Sequence, residues 1–157
     1  MHTLFTLPTR IENWAAHICQ LSSSTFLLAL RLYVAKVFLA SGLTKIADLD
    51  STIALFENEY RVPLLSPALA AYSGTAAELV LPALFALGLM SRSTAFAFFL
   101  FNAVAVLSYP DISEAGIKDH IVWGTMIATV FFFGAGKWSL DHWWKSRSGL
   151  VKAWDRV

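Results

Sequence analysis

Ser24-Thr-Phe-Leu-Leu-Ala-Leu-Arg31-Leu-Tyr-Val-Ala-Lys36-Val-Phe-Leu-Ala-Ser-Gly42-Leu43 decides the fold. Twenty residues of mostly apolar side chain match the ~20 that a helix needs to cross a hydrocarbon layer ~30 Å thick. Two cations lie inside this stretch, and a charge at that depth is costly unless it is paired and used. The composition agrees with a chain solvated by lipid: 57% of the 157 residues are hydrophobic and 15% charged, and the mean hydropathy is +0.58. The hydrophobic share and the hydropathy lie above those of an ordinary soluble domain, and the charged share lies below. The expected class is all-α, an antiparallel bundle of four transmembrane helices forming a single domain over residues 1–157.

Punctuation residues place the remaining spans. Gly42 is expected to close the first, about 24–43. Asp50-Ser51-Thr52 then opens a short surface helix outside the membrane, with Ile53, Phe56 and Tyr60 on one stripe and Pro63 as its stop. Ser66-Pro67 is a cap followed by a proline at the first helical position, and it starts a second span of about 67–90, kinked at Pro82. Ser91-Arg92-Ser93 is too short to cross anything, so a third span, about 94–107, returns as a helical hairpin. Tyr109-Pro110 stops it, and a fourth span covers about 119–134 before Gly134-Ala135-Gly136 breaks the helix. Ala70-x-x-x-Gly74 and Gly124-x-x-x-Ala128 are small-residue pairs that admit close helix approach.

The two flanks read as interfacial segments. Ile11, Trp14, Ile18 and Leu21 recur at helical spacing, predicting an arm along the membrane surface before the chain turns inward. At the other end, Ser139 caps a helix carrying Leu140, Trp143, Leu150 and Trp154 on one side and Lys145, Arg147, Lys152 and Arg156 largely on the other. Lipid is the expected partner of that face. Arg10, Arg92, Lys137 and the C-terminal cations share one side of the bundle. The opposite loops hold Lys45, Arg61 and Lys118 against seven acids, Asp48, Asp50, Glu57, Glu59, Asp111, Glu114 and Asp119. The positive-inside rule then places both termini in the cytoplasm.

Several function classes are excluded or disfavoured. A net charge of +1 with no basic stripe gives no nucleic-acid footprint. One cysteine, Cys19, allows no internal disulfide and no thiolate cluster, and no metal-ligand spacing stands out. No catalytic triad or phosphate loop is present, so the sequence offers no catalytic motif and leaves open whether the chain is an enzyme.

What remains is a polar centre. Counting ~1.5 Å per residue from the cytoplasmic ends puts Arg31 ~10 Å deep, Asn102 ~14 Å, and Lys36 and Glu78 ~18 Å. The simplest arrangement pairs Glu78 with Lys36 or Arg31, while Asn102 supplies interhelical hydrogen bonds and Arg31 can also snorkel to the headgroups. His120, beside Asp119 and near Trp123, is a candidate ligand, proton carrier or interfacial residue. The pattern admits a structural ion pair, a ligand site, or a proton or ion route that requires a homo-oligomer.

Arg31-Leu-Tyr-Val-Ala-Lys-Val-Phe-Leu-Ala-Ser-Gly-Leu-Thr-Lys45, Thr75-Ala-Ala-Glu78 with its following Leu-Pro, Gly88-Leu-Met-Ser-Arg92 and Gly134-Ala-Gly-Lys-Trp-Ser-Leu-Asp141 resemble the DoxX family of small four-helix membrane proteins. Thr52 to Pro67, carrying Leu55-Phe-Glu-Asn-Glu-Tyr-Arg-Val-Pro-Leu-Leu65, and Asp119-His-Ile-Val-Trp123 look more narrowly like the subgroup encoded beside multinuclear iron oxidases that modify copper-buffering peptides. The resemblance implies a bacterial inner-membrane protein linked to quinone, thiol or oxidative-stress chemistry. It singles out Arg31, Gly42, Lys45, Glu78, Gly88, Arg92, Gly136, Ser139 and Asp141. Ala135 stands where the family's final motif has proline. Two functions follow as expectations. One is an auxiliary subunit of a redox or metal-stress pathway with an intramembrane quinone pocket, working beside soluble redox or peptide-modifying proteins. The other is a small transporter or channel component, or an anchor for a soluble enzyme.

Overall fold

A computed structural model describes residues 6–148, and these form six α-helices without strands. They are α1 (Thr6–Ala47), α2 (Leu49–Asn58), α3 (Pro67–Leu87), α4 (Ser91–Leu107), α5 (Glu114–Phe133) and α6 (Leu140–Arg147). Leu150, Lys152, Trp154 and Arg156, expected on the last amphipathic helix, lie outside the described residues.

Helix α1 departs most from the sequence reading. Its 42 residues run unbroken through the expected surface arm and the first span, so the chain does not turn inward near Leu21. No proline or glycine lies between Ile11 and Ser41, and nothing in that stretch breaks the hydrogen-bond ladder. Gly42 does not end the helix either; α1 continues to Ala47. A Cβ at Gly42 would lie 3.0 Å from Glu78 Cβ and 3.0 Å from Leu79 Cδ2. The glycine is therefore the point where α1 and α3 touch backbone to backbone.

The other boundaries follow local chemistry. α2 begins a little earlier than expected because Asp48, not Asp50, is its cap, accepting from the Ser51 N–H at 2.9 Å and from Ser51 Oγ at 2.6 Å. Ser66 caps α3 with Pro67 in its first turn. Gly88 ends that helix in the left-handed conformation, φ 65°. α5 starts at Glu114 because the Ser113 side chain accepts from the Gly116 N–H at 3.1 Å, and Gly134 ends it. Ser139 caps α6.

Two helices, Ser22–Ala47 and Pro67–Leu87, are long and apolar enough to cross a membrane. α4 is apolar but has 17 residues, about 25 Å of rise. α5 begins with a turn and a half containing Glu114, Lys118 and Asp119. The outward side chains of the bundle include Phe26, Leu32, Leu43, Leu69, Val80, Phe96, Phe99, Leu100, Ile121, Phe132 and Phe133, all exposed. An apolar belt of that extent suits lipid rather than water.

The helices pack in two closely associated pairs, α1 with α3 and α4 with α5. Between them lies a core of Leu27, Val34, Phe38, Phe85, Phe98, Ile127 and Val130. Phe98 meets Phe38 and Phe85 edge-on, with ring centroids 4.8 and 5.4 Å apart. Each such pair contributes about 0.5–1.5 kcal/mol beyond its area burial. A smaller cluster of Phe56, Ala70 and Ala71, joined by Ile53 and Tyr60, docks α2 on α3. The Ile53, Phe56, Tyr60 stripe thus faces inward as its spacing predicts. Gly74 makes room for the Phe56 ring, 3.3 Å from where a Cβ would stand.

Candidate functional site

The charged residues expected in one polar centre do not meet: Arg31 and Glu78 belong to two separate clusters, and Lys36 belongs to neither. One cluster lies at the end of the bundle that carries the α3–α4 turn and the α5–α6 loop. The Arg31 side chain is fully buried there, and it neither snorkels nor reaches Glu78. Its Nη1 donates to the Ala86 carbonyl at 3.0 Å, and its Nη2 donates to the Trp138 carbonyl. Ala86 is in the last turn of α3, where carbonyls lack intrahelical donors, so Arg31 caps that helix from across the bundle.

Asp141 performs the converse task for α4. The residue before that helix, Met90, makes no side-chain cap. Asp141 instead accepts from the Met90 N–H at 2.8 Å, the Ser91 N–H at 2.7 Å and Ser91 Oγ at 2.6 Å. Burial raises the Asp141 carboxyl's pKa, but these hydrogen bonds from Ser91 and Met90, with the nearby Lys145 charge, outweigh it and hold the group below its ordinary range. The Asp141 N–H also donates to the Gly88 carbonyl at 3.1 Å. Gly136 lies against Ser24, whose Oγ accepts from the Lys137 N–H at 3.2 Å. Arg31, Gly88, Gly136, Ser139 and Asp141 are therefore a clamp joining α1, the α3–α4 turn and the start of α6. Arg92 is exposed beside it.

The second cluster lies toward the acidic loops. Glu78 is buried at 7% exposure, and its Oε1 is 2.5 Å from Lys45 Nζ. The expected Lys36–Glu78 pair does not form, and Lys36 is exposed. Gly42 sets the level of Glu78 on α1, and helical side chains lean toward the N-terminus. A cation C-terminal to Gly42 reaches back to that level, whereas Lys36 leans farther from it. Lys36 and Lys45, nine residues apart, also lie on opposite faces of the helix. Lys45 Nζ bonds Ser41 Oγ at 3.1 Å on the way. Pro82, four residues after Glu78, has no N–H to give the Glu78 carbonyl, which adds local polarity inside an apolar helix.

Around this ion pair is a cavity of about 460 Å³, within the size range of small-molecule sites. Its walls include Phe38, Phe56, Tyr60, Phe101, Trp123 and Val104, with Lys45, Glu78, Ser108 and His120 as polar lining. Glu78 Oε2 and Ser108 Oγ are buried and meet no hydrogen-bond partner among the described residues. His120 Nδ1 is 2.8 Å from Asn102 Oδ1, and Asn102 Nδ2 donates to the His120 carbonyl at 3.0 Å. Gly124 makes room for that amide, 3.2 Å from where a Cβ would stand.

The cavity roof comes from the segment between α2 and α3. Tyr60 stacks between Phe56 and Tyr109, with centroids 4.5 and 4.9 Å away. The Arg61 N–H donates to the Ser108 carbonyl at 2.7 Å, and Tyr109 Oη to Glu59 at 3.1 Å. Desolvation, and then the negative charge of Glu78, push the Tyr60 phenol above its ordinary value, so it stays protonated at neutral pH.

A family model described as DoxX matches residues 26–110, more than half of the chain. The chain belongs to the DoxX family. No curated protein and no solved structure matches it. The DoxX match spans Arg31, Gly42, Lys45, Glu78, Gly88, Arg92 and Asn102, and ends before His120, Ser139 and Asp141. Both clusters thus combine residues inside the matched stretch with residues beyond it.

Of the five residues expected to bind or relay, Glu78 and His120 line the cavity and Asn102 orients His120. Arg31 belongs to the clamp and Lys36 to neither cluster. The DoxX resemblance marks Lys45 but not its pairing with Glu78. Arg31 and Lys45, fourteen residues apart, share a helix face, and that angular relation was a legible signal. Tyr60 and Ser108 gave no comparable signal.

Proposed function

We propose that this DoxX-family chain is a bacterial inner-membrane protein of four spans, with both termini cytoplasmic, serving as an auxiliary component of a redox or metal-stress pathway. Its Lys45–Glu78 pocket takes a flat, lipid-soluble ring such as a quinone headgroup. The observation that carries this reading is a buried carboxylate with one paired oxygen and one unpaired oxygen in an aromatic-walled cavity. Burying an acceptor without a donor costs about 1–3 kcal/mol, and a hydroxyl donated to it, such as the reduced form of such a ring carries, recovers that cost.

A bound quinone would supply two-electron chemistry; the chain supplies binding and proton handling. Two of the three Lys45 N–H donors are engaged by Ser41 and Glu78, leaving one for a ligand oxygen. Glu78 Oε2 is placed to accept a proton or a hydrogen bond. Phe38, Phe56 and Trp123 hold a ring by stacking and edge contacts. Soluble redox or peptide-modifying partners, and the copper-linked subgroup, belong to this reading as the pathway it would serve.

A conduit for protons or ions has less support. Between the pocket and the clamp the bundle is filled by Phe85, Phe98, Ile127 and Val130, each at most 1% exposed, and these apolar side chains weigh against a polar route through the described residues of one chain. Organic extraction and mass spectrometry of the purified protein and its Glu78→Gln variant test the pocket reading.

A further inference from the structure

The pocket's hydrogen-bonding groups are unequal in what they can do. Asn102 Nδ2 donates to the His120 carbonyl, and that contact fixes the amide, since reversing it would set two oxygens against each other. Asn102 Oδ1 is therefore the acceptor facing His120 Nδ1, and Nδ1 carries the hydrogen. In the neutral ring this leaves Nε2 as a lone-pair acceptor. Glu78 Oε2, in a carboxylate already paired with Lys45, is also an acceptor that cannot donate. Against these two, the third N–H of Lys45 is the one obligate donor among the described polar groups lining the cavity. The Ser41, Ser108 and Tyr60 hydroxyls adapt to either role, while the Ser73 hydroxyl donates to the Leu69 carbonyl.

We infer that the pocket selects the dihydroxy form of a flat aromatic ring over the dicarbonyl form, that is, a hydroquinone over the matching quinone. A dicarbonyl ring has no donor and leaves Glu78 Oε2 and His120 Nε2 dependent on the adaptable hydroxyls. A dihydroxy ring donates to an obligate acceptor and still accepts from Lys45. The two forms differ by two electrons and two protons; the inference concerns binding alone and involves no electron transfer. It deepens the quinone-pocket reading and rests on it.

The test is an anaerobic calorimetric titration of the full chain, in detergent micelles, with a short-tailed benzohydroquinone and with the corresponding benzoquinone. The expected result is tighter binding of the hydroquinone by on the order of tenfold, as one hydrogen bond to a buried acceptor implies. The preference narrows in His120→Phe. Equal or tighter binding of the quinone overturns the inference and leaves the pocket reading standing, whereas failure of both probes to bind overturns both. A measurement needing no variant comes from ¹⁵N spectra of histidine-labelled protein. A ring protonated at Nδ1 and hydrogen-bonded there supports the inference, and an Nε2–H tautomer at His120 contradicts it.

Discussion

Lys45 Nζ stands 2.5 Å from Glu78 Oε1, and Gly42, one turn earlier on α1, is the residue whose missing side chain lets α3 come close enough for that contact. Their side chains are 14% and 10% exposed. Removing one member of a pair so buried leaves a charge without compensation.

Lys45→Met is expected to destabilise the protein by about 3 kcal/mol, read from denaturant unfolding in detergent. Lys36→Met leaves stability within about 0.5 kcal/mol, as for an exposed site. The double variant Lys45→Met/Glu78→Gln recovers part of the loss because no buried charge remains. Equal losses at Lys36 and Lys45 would contradict the assigned pairing.

Gly42→Ala places a methyl group 3.0 Å from both Glu78 Cβ and Leu79 Cδ2. Backbone on α3 leaves that methyl little space, so the helices separate and the variant loses about 1–3 kcal/mol. The same unfolding measurement checks it. Gain of stability, as expected of Gly→Ala in an open helix, would show that the close approach is not required.

Arg31→Lys tests the clamp. A lysine carries the charge but lacks the planar fork that reaches the Ala86 and Trp138 carbonyls together. The expected cost is about 2 kcal/mol, with faster proteolysis of the segment around Lys137. Unchanged stability and cleavage would mean that the two carbonyls do not need the guanidinium.

Asp141 gives the clamp a pH dependence of definite sign. Its folded-state pKa lies below the ordinary 3.8, so its contribution is complete above that value. The contribution is lost as pH falls through the lower folded value. Thermal unfolding followed downward from pH 6 shows this acid loss in the native chain. Asp141→Asn removes it and costs on the order of 1 kcal/mol at neutral pH, the partial exposure of the group keeping the figure small.

Helix identity and most boundaries were legible because caps and breakers act locally. Ser66-Pro67, Ser139 and Gly134 need no knowledge of the rest of the fold. The unbroken α1 was not legible because polar residues such as Glu12, Asn13 and Gln20 interrupt the apolar pattern of the sequence without interrupting the helix. Charge pairing was less legible. Depth counts placed Arg31, Lys36, Glu78 and Asn102 in one slab, but a depth carries no helix rotation and no side-chain lean. Those two quantities send Arg31 to the Ala86 carbonyl, Lys45 to Glu78 and Lys36 outward. The roof made by Tyr60, Tyr109 and Ser108 depends on contacts between residues about fifty positions apart, which local spacing cannot encode.

The pocket reading is tested most directly by the small molecules that travel with the protein. Chain purified in mild detergent, and the Glu78→Gln variant beside it, are extracted with organic solvent and the extracts compared by mass spectrometry. A quinone or hydroquinone, near one per chain, is expected in the native extract and is lost from the variant. Equal background amounts in both, together with no binding of added quinone or hydroquinone, would contradict it.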